Sequence, residues 1–315
     1  MNSRPVLLVD SLNLFCRHLA ANPAMTANGE SAGAIVGFLS NIRLMVELYH
    51  PKRIVIFWES GGSDRRRAIF PGYKQGSRPK SLNRYYGDDI PESEKNRNWQ
   101  TKTIIEILKH TPVNQVYVKN CEADDMIAYA ASNLFSNEQC IVLSSDKDLY
   151  QLISERVQQW SPGQKKLISV NDVIQKFGVH PNNFCLARTF VGDSSDSIDG
   201  VPRVGFSTIV KEFPEFGMPD DILMEEILQK SANSTRKTKA IANINENSEI
   251  IRRNWKLMYL STSMISGEQA QKIEHQAKND DYSNNKMEIL RILNRAQISC
   301  FDADSFFSNI LTVTR

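Results

Sequence analysis

Nine carboxylates stand out by their spacing: Asp10, Glu59, Glu122, Asp124, Asp125, Asp146, Asp148, Asp193 and Asp196. Glu122-Ala123-Asp124 and Asp146-Lys147-Asp148 each alternate, so the two acids of each pair can face one way as a loop enters the next element. Brought together, so many like charges repel unless cations stand between them. Hard divalent cations prefer oxygen ligands, and Mg²⁺ keeps several waters beside its carboxylates. Two such ions roughly 4 Å apart clamp the attacking and leaving oxygens of a phosphoryl transfer. The chemistry open to this set is metal-assisted hydrolysis of phosphate esters.

For that chemistry the acids must converge, and the surrounding pattern says how. Short apolar runs at 6–9, 54–58, 116–118 and 141–143 are each followed closely by a carboxylate: Asp10, Glu59, Glu122 and Asp146. Helical spacing of apolar residues separates them, at 35–48, 101–108 and 124–135. Strands alternating with helices predict a parallel sheet covered on both faces. Ligands of such sheets bind beyond the carboxyl ends of the strands. A single acid there usually caps the next helix; four in succession are poorly explained by capping alone.

The segment 61–97 breaks this pattern. It is polar and rich in Gly, Pro and Ser, and between Asp64 and Gly87 it carries seven basic residues: Arg65, Arg66, Arg67, Lys74, Arg78, Lys80 and Arg84. Phe70, Tyr73, Tyr85 and Tyr86 are interleaved with them. A long segment of this kind within a compact domain is usually functional or disordered; it reads here as a mobile arch or lid over the acidic edge. From about residue 170 the chain turns helical, with a Gly-, Asp- and Ser-rich stretch at 190–206 and scattered basic residues beyond 215.

Composition sets outer bounds. The 315 residues are 41% hydrophobic and 23% charged, which is ordinary for a globular protein. No apolar run approaches the roughly 20 residues of a membrane span, no signal peptide is seen, and a cytoplasmic setting is expected. The formal net charge is only +2, so a nucleic-acid surface has to come from charge distribution. Five scattered cysteines, with no Cys-x-x-Cys pair, read as buried free thiols in a reducing compartment.

These motifs, taken in order, resemble the flap endonuclease and 5′-3′ exonuclease family, in particular its T-even phage RNase H branch. Residues 6–17 resemble its first motif, with Asp10, Asn13 and Arg17 at matching places. Glu122-Ala123-Asp124-Asp125 resembles its signature, Leu143-Ser144-Ser145-Asp146-Lys147-Asp148 the next motif, and Gly192-Asp193 through Val201-Pro202 the one before its DNA-binding turn. Gln159-Trp160-Ser161-Pro162 resembles the phage branch. Two places depart from the pattern. Glu59 stands where the family usually has Asp, and Tyr73-Lys74-Gln75-Gly76-Ser77-Arg78 is one residue longer than the usual Tyr-Lys-x-x-Arg.

The resemblance implies an α/β fold: a parallel-sheet, PIN-like 5′-nuclease core at 1–168 with a helical arch at about 61–97. A helical DNA-binding region follows at 169–315, with a helix-three-turn-helix at about 192–212. It implies two Mg²⁺ ions, replaceable by Mn²⁺. Asp10, Glu59, Asp124 and Asp146 would hold the first, with Glu122 direct or once removed. Asp148, Asp193 and Asp196 would hold the second, with Asp125 in support. Lys74 and Arg78 would contact the scissile phosphate, alongside Asp10 and Asp146 as catalytic groups. Tyr73 would stack on a terminal base, and Arg17 and Arg66 would partner phosphate or carboxylate. Gly200, Val201, Val204 and Gly205 would hold the duplex, with K⁺ as a bridge. Branched, nicked or flapped DNA and RNA–DNA hybrid would be the substrates, with a single-strand binding protein or sliding clamp as protein partner and a monomer as the working form.

Three other classes are open to the same residues. A haloacid-dehalogenase-like phosphatase wants a second Asp two residues after the first, where Leu12 stands. A PIN-type ribonuclease shares the acids at strand ends but lacks the 192–205 segment. A non-catalytic structure-specific DNA-binding protein would gain nothing from nine acids facing a polyanion.

Overall fold

The run at 6–9 becomes the middle of a sheet because it can be buried on both faces. In the computed structural model, which describes residues 4–59, 61–75 and 93–313, six strands form that sheet. They are β1 (Val6–Asp10), β2 (Arg53–Trp58), β3 (Asn114–Tyr117), β4 (Cys140–Leu143), β5 (Val157–Ser161) and β6 (Lys166–Ile168), in the order β3-β2-β1-β4-β5-β6. The first five are parallel and β6 is antiparallel to β5. The register places Asp10 beside Phe57 and Val9 beside Leu143, so the carboxyl ends align along one edge. A further hairpin pairs β7 (Gly192–Asp193) with β8 (Ile198–Asp199).

The helices follow in chain order. Around the first half of the sheet lie α1 (Ser11–Ala21), α2 (Gly33–Tyr49), α3 (Asp64–Ile69), α4 (Ser93–Leu108) and α5 (Ala123–Tyr129), the last prolonged by a π-helical turn, Ala130–Leu134. Then come α6 (Val170–Phe177), α7 (Pro181–Val191), α8 (Phe206–Glu212), α9 (Met224–Ala232), α10 (Lys239–Glu246) and α11 (Ser248–Met258). The last three are α12 (Gly267–Ala277), α13 (Lys286–Arg295) and α14 (Ala303–Ile310).

Period-two alternation divides the core. Leu7, Val9, Ile54 and Ile56 pack on one face with residues of α1, α2, α4, α13 and α14. Val6, Leu8, Val55 and Phe57 pack on the other with α5 and α12. A third cluster lies under α6 to α11. The expected boundary at 168/169 therefore does not divide the cores: the chain leaves the sheet, builds the third cluster, and returns α12 to α14 to cover both faces.

Three further expectations are corrected. β5 and β6 escaped the pattern because Gln158 and Gln159 interrupt the apolar run; Gln159 is buried and donates to the carbonyls of Ser144 and Asp146 at 2.9 and 2.7 Å. The supposed arch is partly firm structure, since α3 and Tyr73 are packed with residues of α7, β8 and α11, and α4 already starts at Ser93. Arg78, Lys80, Arg84, Tyr85 and Tyr86 lie outside the described residues. Of the five free thiols, Cys121, Cys140 and Cys185 are buried, but Cys16 and Cys300 are exposed.

Candidate active site

Asp10 ends β1 and starts α1, and its two oxygens are spent differently. Oδ1 accepts the Asn13 N–H at 3.1 Å, which caps the helix; Oδ2 accepts the Ser144 hydroxyl at 2.9 Å. The capping role and the site role therefore coincide. Ser144 Oγ in turn accepts the Asp146 N–H at 3.0 Å, and Asn13 Oδ1 accepts the Ser145 N–H at 2.9 Å. These contacts lock the turn after β4 onto the turn after β1. Burial, reinforced by the charges of Asp146 and Asp124, lifts the Asp10 carboxyl to about 6.

Glu59 follows β2 in the same pocket. Burial lifts it to about 7, against the pull of Lys74 and with Glu122, Asp124 and Asp10 adding to the rise. Asp146, too, is raised by burial, and Asp124 and Asp193 push it the same way. Asp196 is raised by burial to about 6, although Lys74 opposes the shift. Mutual elevation of this kind marks carboxylates crowded in low dielectric without enough positive charge.

Glu122 and Asp125, at the start of α5, are placed in the cluster but committed elsewhere. Glu122 Oε2 accepts Arg66 Nη1 at 2.7 Å and the Tyr73 hydroxyl at 2.9 Å, and lies 3.2 Å from Lys74 Nζ; its Oε1 accepts the Ser63 N–H at 3.2 Å. Asp125 is gripped by both arms of Arg66, at 2.7 and 2.8 Å. The oxygens of Glu122, Asp124 and Asp125 lie close enough to share an ion, but Arg66 donates to Glu122 through Nη1 and to Asp125 through both arms, while Asp124 Oδ1 lies 4.0 Å from Nη1. Arg66 is 5% exposed and its Nε donates to the Leu257 carbonyl at 2.8 Å. Of the phosphate and carboxylate partners open to it, its guanidinium meets carboxylates in the fold.

Tyr73 is corrected: at 5% exposure, with its hydroxyl on Glu122, its ring is unavailable for stacking on a base. Lys74 does reach the pocket. Its backbone is in the left-handed region at φ 54°, and its N–H donates to the Asp196 carbonyl at 3.0 Å. The charges of Asp124, Glu122 and Asp196 outweigh burial and raise its ammonium well above the ordinary value. Strain of this sort in a non-glycine residue persists only where surrounding contacts hold it.

On the far side of the pocket, Asp148, Asp193 and Asp196 form a second group whose oxygens lie within 4.8 Å of one another. Arg188, which the sequence reading missed, stands against two of them. Its only signal was a lone basic residue in the buried helix that leads into Gly192-Asp193.

The four residues expected to hold a duplex separate. Val201 and Val204 are buried in the third core cluster, and their N–H groups are donated to the Phe190 and Val201 carbonyls. Gly200 packs backbone to backbone, since a Cβ there would meet the Val191 carbonyl oxygen at 2.2 Å. Gly205, at the start of α8, faces open space. Arg17 is exposed on α1, close to Gly163 in the turn between β5 and β6.

An all-oxygen donor set of buried, crowded carboxylates at the carboxyl edge of a parallel sheet fits hard divalent cations. Fold and site together define a metal-assisted phosphoryl-transfer enzyme of the doubly covered α/β class. The family model for the 5′-3′ exonuclease N-terminal resolvase-like domain matches residues 5–178, and the chain belongs to that family of 5′-3′ exonucleases and flap endonucleases. The 5′-3′ exonuclease of Aquifex aeolicus is 32% identical over 206 residues, covering 65% of this chain and 66% of that one. Flap endonuclease Xni of Shewanella halifaxensis is 26% identical over 265 residues, covering 82% and 93%. The solved T5 5′-exonuclease with bound zinc shares the fold at a TM-score of 0.64 and 20% identity, covering 99% of both chains. Human GEN1 in complex with Holliday junction DNA follows at a TM-score of 0.53 and 13% identity, covering 98% of this chain and 71% of that one.

Proposed function

We propose that this nuclease acts at junctions of branched, nicked or flapped DNA and on RNA–DNA hybrid, cleaving phosphodiester bonds to leave 5′-phosphates with Mg²⁺ as its natural ion. The observation that carries the reading is the convergence of Asp10, Glu59, Asp124, Asp146, Asp148, Asp193 and Asp196, from separate segments, into one pocket of mutually raised carboxyls. Two divalent cations would neutralise that pocket, activate water and stabilise the leaving oxygen. Asp10, Asp124 and Asp146, with Glu59, would hold one; Asp148, Asp193 and Asp196 would hold the other.

Among the described residues, Lys74 is the cation best placed for the scissile phosphate, since it sits on the rim and stays charged. Asp10 and Asp146 are fixed by Ser144 before substrate arrives, so their geometry costs no reorganisation at the moment of reaction. Cleavage belongs to the acids at the sheet edge, and grip on the duplex to the helical segment that follows residue 168, where the turn before α8 would meet a phosphate, with K⁺ as a bridge. Removal of RNA primers during replication in the cytoplasm follows as the role, with the chain acting as a monomer beside a clamp or single-strand binding protein.

Product mapping tests this. End-labelled flap, nicked and RNA–DNA hybrid substrates are incubated with Mg²⁺ or EDTA. Mg²⁺-dependent products with 5′-phosphates at the junction are expected, with Mn²⁺ able to replace Mg²⁺. Junction binding without cleavage would leave a non-catalytic DNA-binding protein instead.

A further inference from the structure

Both acid groups of the site contain a buried arginine, and the two are used differently. Arg66 consumes the carboxylates it meets, taking both oxygens of Asp125. Arg188 does not. Its Nε and Nη2 both donate to Asp148 Oδ1, at 3.1 and 3.0 Å, and Nη2 also donates to Asp193 Oδ2. Nη1 donates to the Gly192 carbonyl at 2.9 Å. Asp148 Oδ2 accepts no hydrogen bond among the described residues, and Asp193 Oδ1 is met by the N–H and the rotatable hydroxyl of Ser195.

We propose that Arg188 is a positioning residue for the cation held by Asp148, Asp193 and Asp196: its fork ties one oxygen of Asp148 to one of Asp193 and leaves the rest of the group to the ion. The inference rests on the reading of that group as a cation site. Its physical basis is a fixed counter-charge on a rigid support. Asp148 opens a 3-10 turn, Asp148–Leu152, and Asp193 ends β7 just after α7, so they are 45 positions apart in the chain and repel. Arg188 sits on α7 between Leu186 and Phe190, both packed in the third core cluster, and its own side chain is 11% exposed. It cannot swing out, and its planar guanidinium spans two carboxylates where an ammonium would meet them as a point. Partners of this kind behind metal-binding carboxylates are worth about 10–100-fold in metal affinity.

Mn²⁺ binding to the whole chain, followed by the electron paramagnetic resonance of free Mn²⁺, tests the proposal in wild type, Arg188→Gln and Arg188→Lys. Wild type is expected to hold Mn²⁺ in two classes. Arg188→Gln should lose about 10–100-fold in one class and leave the other unchanged. Arg188→Lys keeps the charge without the fork and should lose most of the same affinity. Retention of affinity in both classes by either variant overturns the proposal, as does an equal loss in both classes. Should Arg188→Gln not fold, Arg188→Lys decides by the same criteria. Wild type that binds no Mn²⁺ overturns the reading of the site itself, a result separate from any effect of the variants.

Discussion

At the scale of single residues, one type of side chain has two fates in this pocket. Asp10 accepts the Ser144 hydroxyl and the Asn13 N–H, and Asp146 Oδ1 accepts the Asp148 N–H; these neutral donors leave both short of counter-charge. Asp125 and Glu122 are satisfied by Arg66. Asp10→Asn and Asp146→Asn should therefore lower cleavage by more than the ~10–100-fold that an outer partner is worth, with DNA binding largely retained; single-turnover rates and a binding titration check both halves. Arg66→Met should act chiefly on the fold. It strands two buried carboxylates, and breaking a buried pair in this way costs about 3–5 kcal/mol. Denaturant unfolding would show the loss, and an unchanged midpoint would contradict the assigned role.

At the scale of elements, α11 is the strut that joins the parts. Arg66 of α3 donates to the Leu257 carbonyl, and Arg253 lies over the Phe70 ring at 4.4 Å. Asn254, fully buried, donates to the carbonyls of Thr189 and Asp199 at 2.9 and 2.8 Å, tying α7 to the β7–β8 hairpin. Asn254→Leu would leave those carbonyls unmatched, at about 1–3 kcal/mol, and should loosen the hairpin that carries Asp193 and Asp196; hydrogen exchange at Asp193 and Ile198 is the measurement. Arg252, Arg253 and Lys256 make α11 locally basic. Yet Arg253 is occupied inside the molecule and Arg252 pairs with Glu225 and Glu249. Periodicity shows that α11 is a helix, but not which neighbours receive its polar side chains.

For the whole molecule, the crowded acids make stability depend on pH and on cations. Asp10, Glu59 and Asp196 rise from ordinary values of 3.8 to 4.5 to about 6 or 7 in the fold. Between those limits the folded state binds more protons than the unfolded chain, so this contribution to stability falls as pH rises from about 4 to about 7. His18 acts with the opposite sign. Burial, with the Arg17 charge, lowers it from 6.5 to about 4, so stability is lost as pH falls through that range. The part of the pH slope due to the acids should disappear in saturating Mg²⁺. At pH 8 a cation at 100 times its Kd should add about 2.7 kcal/mol of stability. Melting temperatures across pH, in EDTA and in Mg²⁺, check this; identical curves would contradict the cation site.

The sequence by itself determined the alternating strands, the parallel sheet and the acids at its carboxyl edge, because period-two and helical patterns are local and β1 to β4 are short apolar runs. It also carried the family, since its motifs keep their order and spacing. Only the tertiary structure decided which acids are open to an ion. Arg66 and Arg188 come from segments distant from most of the carboxylates they meet, and no spacing tells a buried guanidinium from one on the surface. The return of α12 to α14 onto the sheet was hidden for the same reason: an amphipathic helix states that it has a partner face, not which face it will cover.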